Sequence, residues 1–485
     1  SALTVILQLL GAIGLFEPLA IVFACVAAGL GARVLLAPAD GQADSPPAPK
    51  VPPLQFWIAL AAAAFVAAHW ATGLQDVWAR GMLTFDTLWY HGPFAARIAE
   101  TGSVWSLHFT DPLYLNWFYP QNSELLHGAG IALFDRDVFS PLINFGWLGV
   151  SLLAAWCIGR PYGVAPLSLL AAALVLDTGP MVPREAGTPA NDVAPVALLL
   201  AAAAILVNAW AAPGVRARGP AILIAGMAIG LAIGTKLTVA GAAAAFAVGL
   251  PLLMPPGMRL RALGLFAGGA AITCGFWFLR NVIHSGNPLP WIGELGPIDL
   301  PGPDRGLEGR DDYTVAHYLF ENPDTDVWSS FFYKAITNLF GPGWFLFFGL
   351  AAAGAALAIA RPRSRAVRLL GAVTIVGGIA YLFTPLTAAG PEGEPLAFGI
   401  NLRYLVPAMA LGLALLPLEP KLTPERLRLP LLLGGVVTLL ATSLYSDSAY
   451  IWDEAYSSIP WAALIGVVIV GVPVGIALLA RSSGA

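Results

Sequence analysis

The residues that could do chemistry stand in short polar segments between long apolar runs, and the first of these segments centres on Asp86. It reads Phe85-Asp86-Thr87-Leu88-Trp89-Tyr90-His91 and follows the second apolar run by about a dozen residues. A carboxylate at a membrane surface can act as a general base, and partial loss of water there would raise its pKa and strengthen it. Asp also commonly caps the first turn of a helix, so a capping role for Asp86 stays open.

Aromatic, amide and acidic side chains crowd the rest of this polar segment. Such a mixture suits a sugar, whose faces stack on rings and whose hydroxyls need polar partners. An aromatic belt at the membrane interface would explain the Trp and Tyr residues, but explains the interleaved acids and amides less well. The substrate-binding candidates here are Tyr90, His91, Asp111, Asn116, Trp117, Tyr119 and Glu124.

A second polar segment, Arg184-Glu185-Ala186-Gly187-Thr188-Pro189-Ala190-Asn191-Asp192, ends at the start of another apolar run. Asp192 is a candidate for a second active-site acid that faces Asp86, with Glu185 and Asn191 as substrate contacts. The alternative is that Asn191 or Asp192 caps the following helix.

Three cations stand at the ends of apolar runs: Lys236, Arg280 and Arg403. Arg binds phosphate through a bidentate fork, so we expect these side chains to meet around one phosphate. The alternative is that they pair with nearby acids. No metal-ligand spacing, Gly-rich phosphate loop or basic stripe occurs, which predicts no cofactor and no nucleic-acid partner.

The elements that must position these residues are apolar. Hydrophobic residues make up 58% of the 485-residue chain and charged residues 11%, against about 25% charged residues in soluble domains. The apolar runs approach the ~20 residues that span a bilayer, so the sequence predicts an all-α polytopic membrane protein. The thirteen predicted spans are 18–37, 55–73, 141–159, 164–178, 191–210, 220–235, 237–254, 263–281, 338–360, 367–385, 402–418, 430–445 and 459–480. Residues 2–15 are either an interfacial helix or half of a kinked span.

The distribution of charge predicts the orientation of these spans. Alternating them with 74–140 outside leaves most Lys and Arg residues inside and most acids outside. The whole chain, 1–485, then forms one transmembrane domain. Its parts are 1–73 with the N-terminal spans, the outside loop 74–140, the central spans 141–281, the outside loop 282–337, and the C-terminal spans 338–485.

Both outside loops are too long for simple connectors, so we expect interfacial helices in them. In the first loop Leu88, Phe94, Ala95 and Ile98 share a helical face, and Gly102 is placed to end that helix.

In their order along the chain, these motifs resemble the GT-C superfamily of membrane glycosyltransferases, in particular the protein mannosyltransferase and aminoarabinose transferase type. The matching elements are Asp86 with Tyr90 and His91; Asn191-Asp192; Gly234-Thr235-Lys236; Phe278-Leu279-Arg280-Asn281 with Gly286-Asn287-Pro288; and Asn401-Leu402-Arg403-Tyr404-Leu405-Val406-Pro407. Many members carry an Asp-Glu pair where this chain has Asp86-Thr87, which leaves the sugar unspecified.

The resemblance implies an inverting transfer of a sugar from a polyprenyl-phosphate carrier to a glycan, lipid or protein acceptor. Asp86 would be the general base, while Lys236, Arg280 and Arg403 would hold the donor phosphate. Asn287 and Tyr404 would contact substrate. The implied setting is the bacterial cytoplasmic membrane, with the active site outside and without a metal, although relatives that use pyrophosphate donors need a divalent ion. The alternatives are a transporter or flippase of lipid-linked sugars and an inactive GT-C-like scaffold.

Overall fold

The computed structural model of this protein describes residues 1–35, 49–106, 109–111, 114–211, 218–303, 313–386 and 390–445. These parts are almost wholly helical. The α-helices are α1 (Ala2–Ala12), α2 (Pro18–Leu35), α3 (Pro53–Arg80), α4 (Gly92–Thr101), α5 (Asn122–Phe134), α6 (Ser140–Gly159), α7 (Ala165–Leu176), α8 (Val182–Glu185), α9 (Val193–Ala211), α10 (Arg218–Ile233), α11 (Ala240–Leu252), α12 (Arg259–Ser285), α13 (Thr325–Val327), α14 (Lys334–Phe340), α15 (Trp344–Ala360), α16 (Arg365–Leu382), α17 (Phe398–Asn401), α18 (Val406–Leu415) and α19 (Glu425–Tyr445). Two short strands, β1 (Glu294–Leu295) and β2 (Ile298–Asp299), pair antiparallel.

Seven helical segments of the described chain are long and apolar enough to cross a membrane. An eighth is obtained if the bent pair Thr325–Phe340 and Trp344–Ala360 counts as one span. The protein is therefore a membrane-embedded, all-α polytopic protein, as the composition predicts. The seven segments are Pro53–Arg80, Ser140–Tyr162, Val193–Ala211, Pro256–Ser285, Arg365–Leu382, Phe398–Leu418 and Glu425–Ser443.

The count of thirteen spans is not confirmed. Five apolar helices of the described chain are shorter than a span: Ala2–Ala12, Pro18–Arg33, Ala165–Leu176, Arg218–Ile233 and Leu237–Leu252. A helix rises about 1.5 Å per residue and the hydrocarbon core is about 30 Å thick, so each covers only part of that depth. The predicted span 459–480 lies outside the described residues.

The predicted span 338–360 is interrupted. Gly341-Pro342-Gly343 separates α14 from α15, Gly341 has φ +74°, and the two helical segments meet at 85°. A positive φ suits glycine, and proline cannot continue the hydrogen-bond ladder of the preceding helix. Apolar composition continues through this break, which is why the sequence predicts one span.

Glycines allow α10 and α12 to pack closely. A Cβ on Gly226 would lie 2.3 Å from the carbonyl oxygen of Phe266, and one on Gly230 would lie 2.4 Å from that of Ala270. Small residues four apart let helix backbones approach in membranes, where apolar burial alone provides little attraction between helices. This contact positions Lys236, which follows the end of α10.

The first long loop contains the predicted helix. Gly102 ends α4 with φ +67°, and Phe94, Ala95 and Ile98 on its inner face are buried, as predicted. Leu88 is instead 59% exposed. It belongs to a π-helical turn, Thr87–His91, whose wider winding rotates it off the face that α4 buries.

The second long loop contains α13 and the start of α14, together with the β1–β2 hairpin, which the sequence does not predict. Gly296 turns the hairpin with φ +62°. Trp291 to Gly293, just before the hairpin, and Glu294 at its start lie at the edge of a cavity.

Candidate functional site

A cavity of about 1280 Å³ opens where the polar segments meet. Residues distant in sequence line it: Asp86 and Tyr90 from the first loop, Asn191 before α9, and Lys236 after α10. Further parts of the wall come from 291–294, 384–386 and the segment with Ile400, Arg403 and Tyr404.

Arg403 joins two carboxylates at this cavity. Its Nη2 donates to Oδ2 of Asp86 at 2.9 Å, and its Nε lies 3.1 Å from Oδ2 of Asp192. Lys236 Nζ lies 2.5 Å from the other oxygen of Asp192 and donates to Oδ1 of Asn191 at 3.1 Å. The ring of Tyr404 lies beside both cations, 5.0 Å from Lys236 Nζ and 5.3 Å from Arg403 Cζ. Two predicted acids and two predicted cations therefore form one ion cluster.

The cluster reverses the direction of the shift expected for the pKa of Asp86. Burial opposes ionisation of this carboxyl, but the attraction of Arg403 and then of Lys236 outweighs it, so the pKa of Asp86 is lowered. The prediction that loss of water makes Asp86 a stronger base is therefore wrong for this state of the site. For Asp192, burial likewise opposes ionisation and the same two cations win, lowering its pKa.

Neither predicted capping role is seen. Asp86 makes no side-chain hydrogen bond to the turn that follows it. The first turn of α9 is bonded by Glu185, whose Oε2 accepts from the backbone N–H groups of Asp192 and Val193, both at 3.0 Å. The carboxylates of Asp86 and Asp192 instead pair with Arg403 and Lys236.

Glu185 organises the loop before α9 and does not line the cavity. It is fully buried, and Asn144 Nδ2 donates to its carbonyl oxygen at 3.0 Å and to those of Thr188 and Ala190 at 3.0 and 2.8 Å. Burial, and then the charge of Asp192, raises the pKa of Glu185 to about 8. Glu185 therefore fixes the geometry of this loop, and its position away from the cavity does not fit the predicted substrate contact.

Aromatic rings form another wall of the cavity. They contact one another edge to face in a continuous series, a geometry that aromatic pairs prefer. The series runs Tyr114–Trp89 (4.7 Å between centroids), Trp89–Tyr90 (5.5 Å), Tyr90–Tyr119 (6.2 Å) and Tyr119–Trp291 (5.6 Å).

Polar candidates of the first loop divide into two groups. Asn116 and Glu124 line the cavity, and Nδ2 of Asn116 has no hydrogen-bond partner within the described residues. His91 does not line it; the ring is buried, and its Nδ1 bonds Glu124. Asp111 also lies off the cavity, where its carboxylate accepts from the backbone N–H of Tyr114 at 3.1 Å.

Arg280 is not part of the ion cluster. It is fully buried, donates to the carbonyl oxygen of Trp117 at 2.6 Å, and lies over the rings of Trp117 (3.9 Å) and Trp277 (4.7 Å). Of the three predicted cations, Lys236 and Arg403 therefore meet in one cavity. Arg280 packs with Trp117 outside the cavity lining. Asn287 has a similar place, since its Nδ2 donates to the carbonyl oxygen of Ile292 at 2.8 Å.

Several cavity residues were not among the predicted site residues, among them Trp89, Arg184 and Trp291. Trp89 and Trp291 stand in aromatic segments and could have been proposed from composition. Arg184 stands in a quoted polar segment, but nothing in its spacing distinguishes its direction from that of Glu185 beside it.

No group of three His, Cys, Asp or Glu side chains in the described parts of the chain is arranged to hold a metal ion. No protein-family model, curated protein or solved structure matches this chain.

Proposed function

We propose that this protein is a membrane glycosyltransferase that moves a sugar from a polyprenyl-phosphate carrier to an acceptor hydroxyl, with inversion. The observation that carries the proposal is that one cavity joins an ionised carboxylate, Asp86, to two cations and an aromatic wall. A base, an anion site and ring faces are what such a transfer needs from a protein.

In this reaction Asp86 takes the proton of the acceptor hydroxyl. The acceptor oxygen forms a bond to the anomeric carbon while the bond from that carbon to the phosphate oxygen breaks. The bonding electrons leave with the phosphate, whose added charge Lys236 and Arg403 neutralise. Binding both substrates in one cavity supplies the alignment that in-line attack requires.

The pairing of Arg403 with Asp86 fits this sequence of events. A donor phosphate that draws Arg403 toward itself weakens its hold on Asp86, so the carboxylate becomes more basic once the donor is bound. Asp192 Oδ1 lies 2.5 Å from Lys236 Nζ. This ion pair can stay intact while Arg403 moves from Asp86 toward the phosphate.

Apolar surface beside Asp86 supports a lipid-linked donor. Phe85 lines the cavity and is 72% exposed, and the nearby Leu83 is 64% exposed. In a membrane-embedded protein such side chains favour contact with hydrocarbon chains. The charge distribution along the sequence supports an orientation in which this cavity faces the non-cytoplasmic side of a bacterial membrane.

The direct test is Asp86→Asn in a transfer assay with polyprenyl-phosphate sugars and purified protein. We expect a rate loss of about 10²–10⁴-fold, the usual contribution of a general base. Asp135→Asn is the matched control, because Asp135 is an exposed acid of the same loop away from the cavity. Near-normal transfer by Asp86→Asn at equal protein levels would contradict the assignment of the base.

A second candidate function, transport or flipping of lipid-linked sugars, is favoured by a polar cluster within the helical bundle. His69, in the candidate span Pro53–Arg80, lies with Nδ1 2.8 Å from Asp177, and Ser443 Oγ lies 3.2 Å from the same nitrogen. Buried ionisable groups at membrane depth mark ion and substrate pathways in many transporters.

Asp177→Asn separates the two functions. A transferase keeps its transfer rate in this variant, because Asp177 lies away from the cavity. A transporter loses movement of lipid-linked sugar across reconstituted vesicles. Ser443→Ala is the control for a change in packing without loss of the carboxylate.

A further inference from the structure

The cavity contains a third cation that the ion cluster does not neutralise. Lys236 and Arg403 each contact a carboxylate within 3.1 Å. Arg184 lines the same cavity, and within the described residues no carboxylate lies within ion-pair distance of its guanidinium. Its Nε is buried and has no hydrogen-bond partner there.

The backbone around Arg184 is held on both sides. Its N–H donates to the carbonyl oxygen of Met181 at 3.2 Å, and its carbonyl oxygen accepts from Thr188 Oγ1 at 2.5 Å. The next residue, Glu185, is anchored to the start of α9 by two hydrogen bonds. The backbone that carries Arg184 is therefore fixed in α8 and needs little ordering when a ligand binds.

The nearby acids are committed elsewhere. Asp86 and Asp192 contact Arg403 and Lys236. Burial, and then the charge of Asp192, raises the pKa of Glu185 to about 8, so ionisation of this carboxyl beside Arg184 is disfavoured. Burial, and then the charge of Arg403, lowers the pKa of Arg184 itself, which reflects the cost of keeping this charge away from water and near a second cation.

We propose that Arg184 is the cavity's first contact for an anion: it takes a phosphate oxygen of the ligand while Lys236 and Arg403 still hold their carboxylates, before the bound phosphate draws Arg403 from Asp86. An unpaired guanidinium in a partly dehydrated cavity binds a phosphate without first breaking an ion pair, and its planar fork matches two phosphate oxygens. The ligand chemistry is a phosphate monoester. Its source as the head of a lipid carrier rests on the proposed function.

Binding of three probes to protein in lipid nanodiscs tests the inference: a long-chain polyprenyl monophosphate, the corresponding prenol, and inorganic phosphate. The prenol lacks the anion and inorganic phosphate lacks the chain, so the three separate the two sources of affinity. Arg184→Gln should weaken monophosphate binding on the order of ten- to hundredfold, as expected for a lost charge-assisted bond, and leave prenol binding unchanged.

Arg97→Gln is the matched control, because Arg97 is a half-exposed arginine of α4 that pairs with Glu100 and does not line the cavity. Equal monophosphate affinity in Arg184→Gln and the native protein would overturn the inference and leave the proposed donor class intact. A native protein that binds prenol as tightly as the monophosphate would contradict both. Inorganic phosphate that binds as tightly as the polyprenyl monophosphate would reject the lipid source alone.

A measurement on the native protein covers the case in which Arg184→Gln does not fold. Phenylglyoxal modifies accessible arginines, and mass spectrometry reads each site separately. Polyprenyl monophosphate should protect Arg184 but not Arg97, and the prenol should protect neither. Modification of Arg184 at an unchanged rate under saturating monophosphate would overturn the inference.

Discussion

Arg403 is the residue on which the chemistry of the site turns, because it contacts Asp86 and Asp192 with different nitrogens of one planar group. A lysine at this position presents a single point charge and cannot reproduce that geometry. The proposed reaction needs Asp86 ionised, so whatever holds Arg403 also sets the pH at which the base is available.

Arg403→Lys should move the acid limb of the pH–rate profile upward. Arg403 is the largest of the attractions that lower the pKa of Asp86. Lysine keeps the charge but cannot hold it against both Asp86 and Asp192, so the Coulomb attraction weakens, the hydrogen bond is lost and the pKa of Asp86 rises. Below that pKa the carboxyl is protonated and inactive. Activity should therefore fall at a higher pH than in the native protein, as measured by kcat/KM against pH.

Arg97→Lys serves as the control for that profile, since Arg97 pairs with Glu100 at the surface. An acid limb that stays in place in Arg403→Lys would mean that another group sets it.

At the scale of helices, the contact between α10 and α12 carries Lys236 to the cavity. Gly230→Leu should weaken this contact, because even a Cβ at position 230 would meet backbone of α12 at 2.4 Å. Overpacking of this kind costs about 1–3 kcal/mol or more. The expected results are a lower midpoint of thermal unfolding in detergent and weaker transfer, since Lys236 would be displaced.

Gly264→Leu on α12 is the matched control, because a Cβ there would meet nothing within 4 Å. Its midpoint should stay close to that of the native protein. Equal midpoints for the two variants would show that the approach of α10 to α12 does not depend on Gly230.

At the scale of the whole molecule, the charge distribution along the sequence predicts the orientation in the membrane. Single cysteines at positions 136 and 363, both exposed, should differ in labelling by a membrane-impermeant maleimide. Position 136 should react in intact cells, and position 363 only after permeabilisation. The background needs Cys25, Cys157 and Cys274 replaced. Labelling of both positions to the same extent in intact cells would contradict this topology.

The sequence alone determined the class of the protein and much of its local structure. Composition and the length of apolar runs require a membrane-embedded helical protein, because both depend on stretches of about 20 consecutive residues. The end of α4 at Gly102 was also predictable, because a C-cap depends only on a few residues close together in sequence. Polar residues between apolar runs were sufficient to nominate Asp86, Asp192, Lys236 and Arg403.

Only the tertiary structure decided which of these candidate residues contact one another. Asp86 and Arg403 are 317 positions apart, and their contact depends on how several helices pack. Arg280 resembles Arg403 in sequence context, yet it turns into a wall of tryptophans, while Arg184 reaches the cavity. The pKa of Asp86 is likewise lowered in the structure, although the sequence predicts that it is raised. Coulomb attraction falls with distance, and only the folded chain sets the distances between charges.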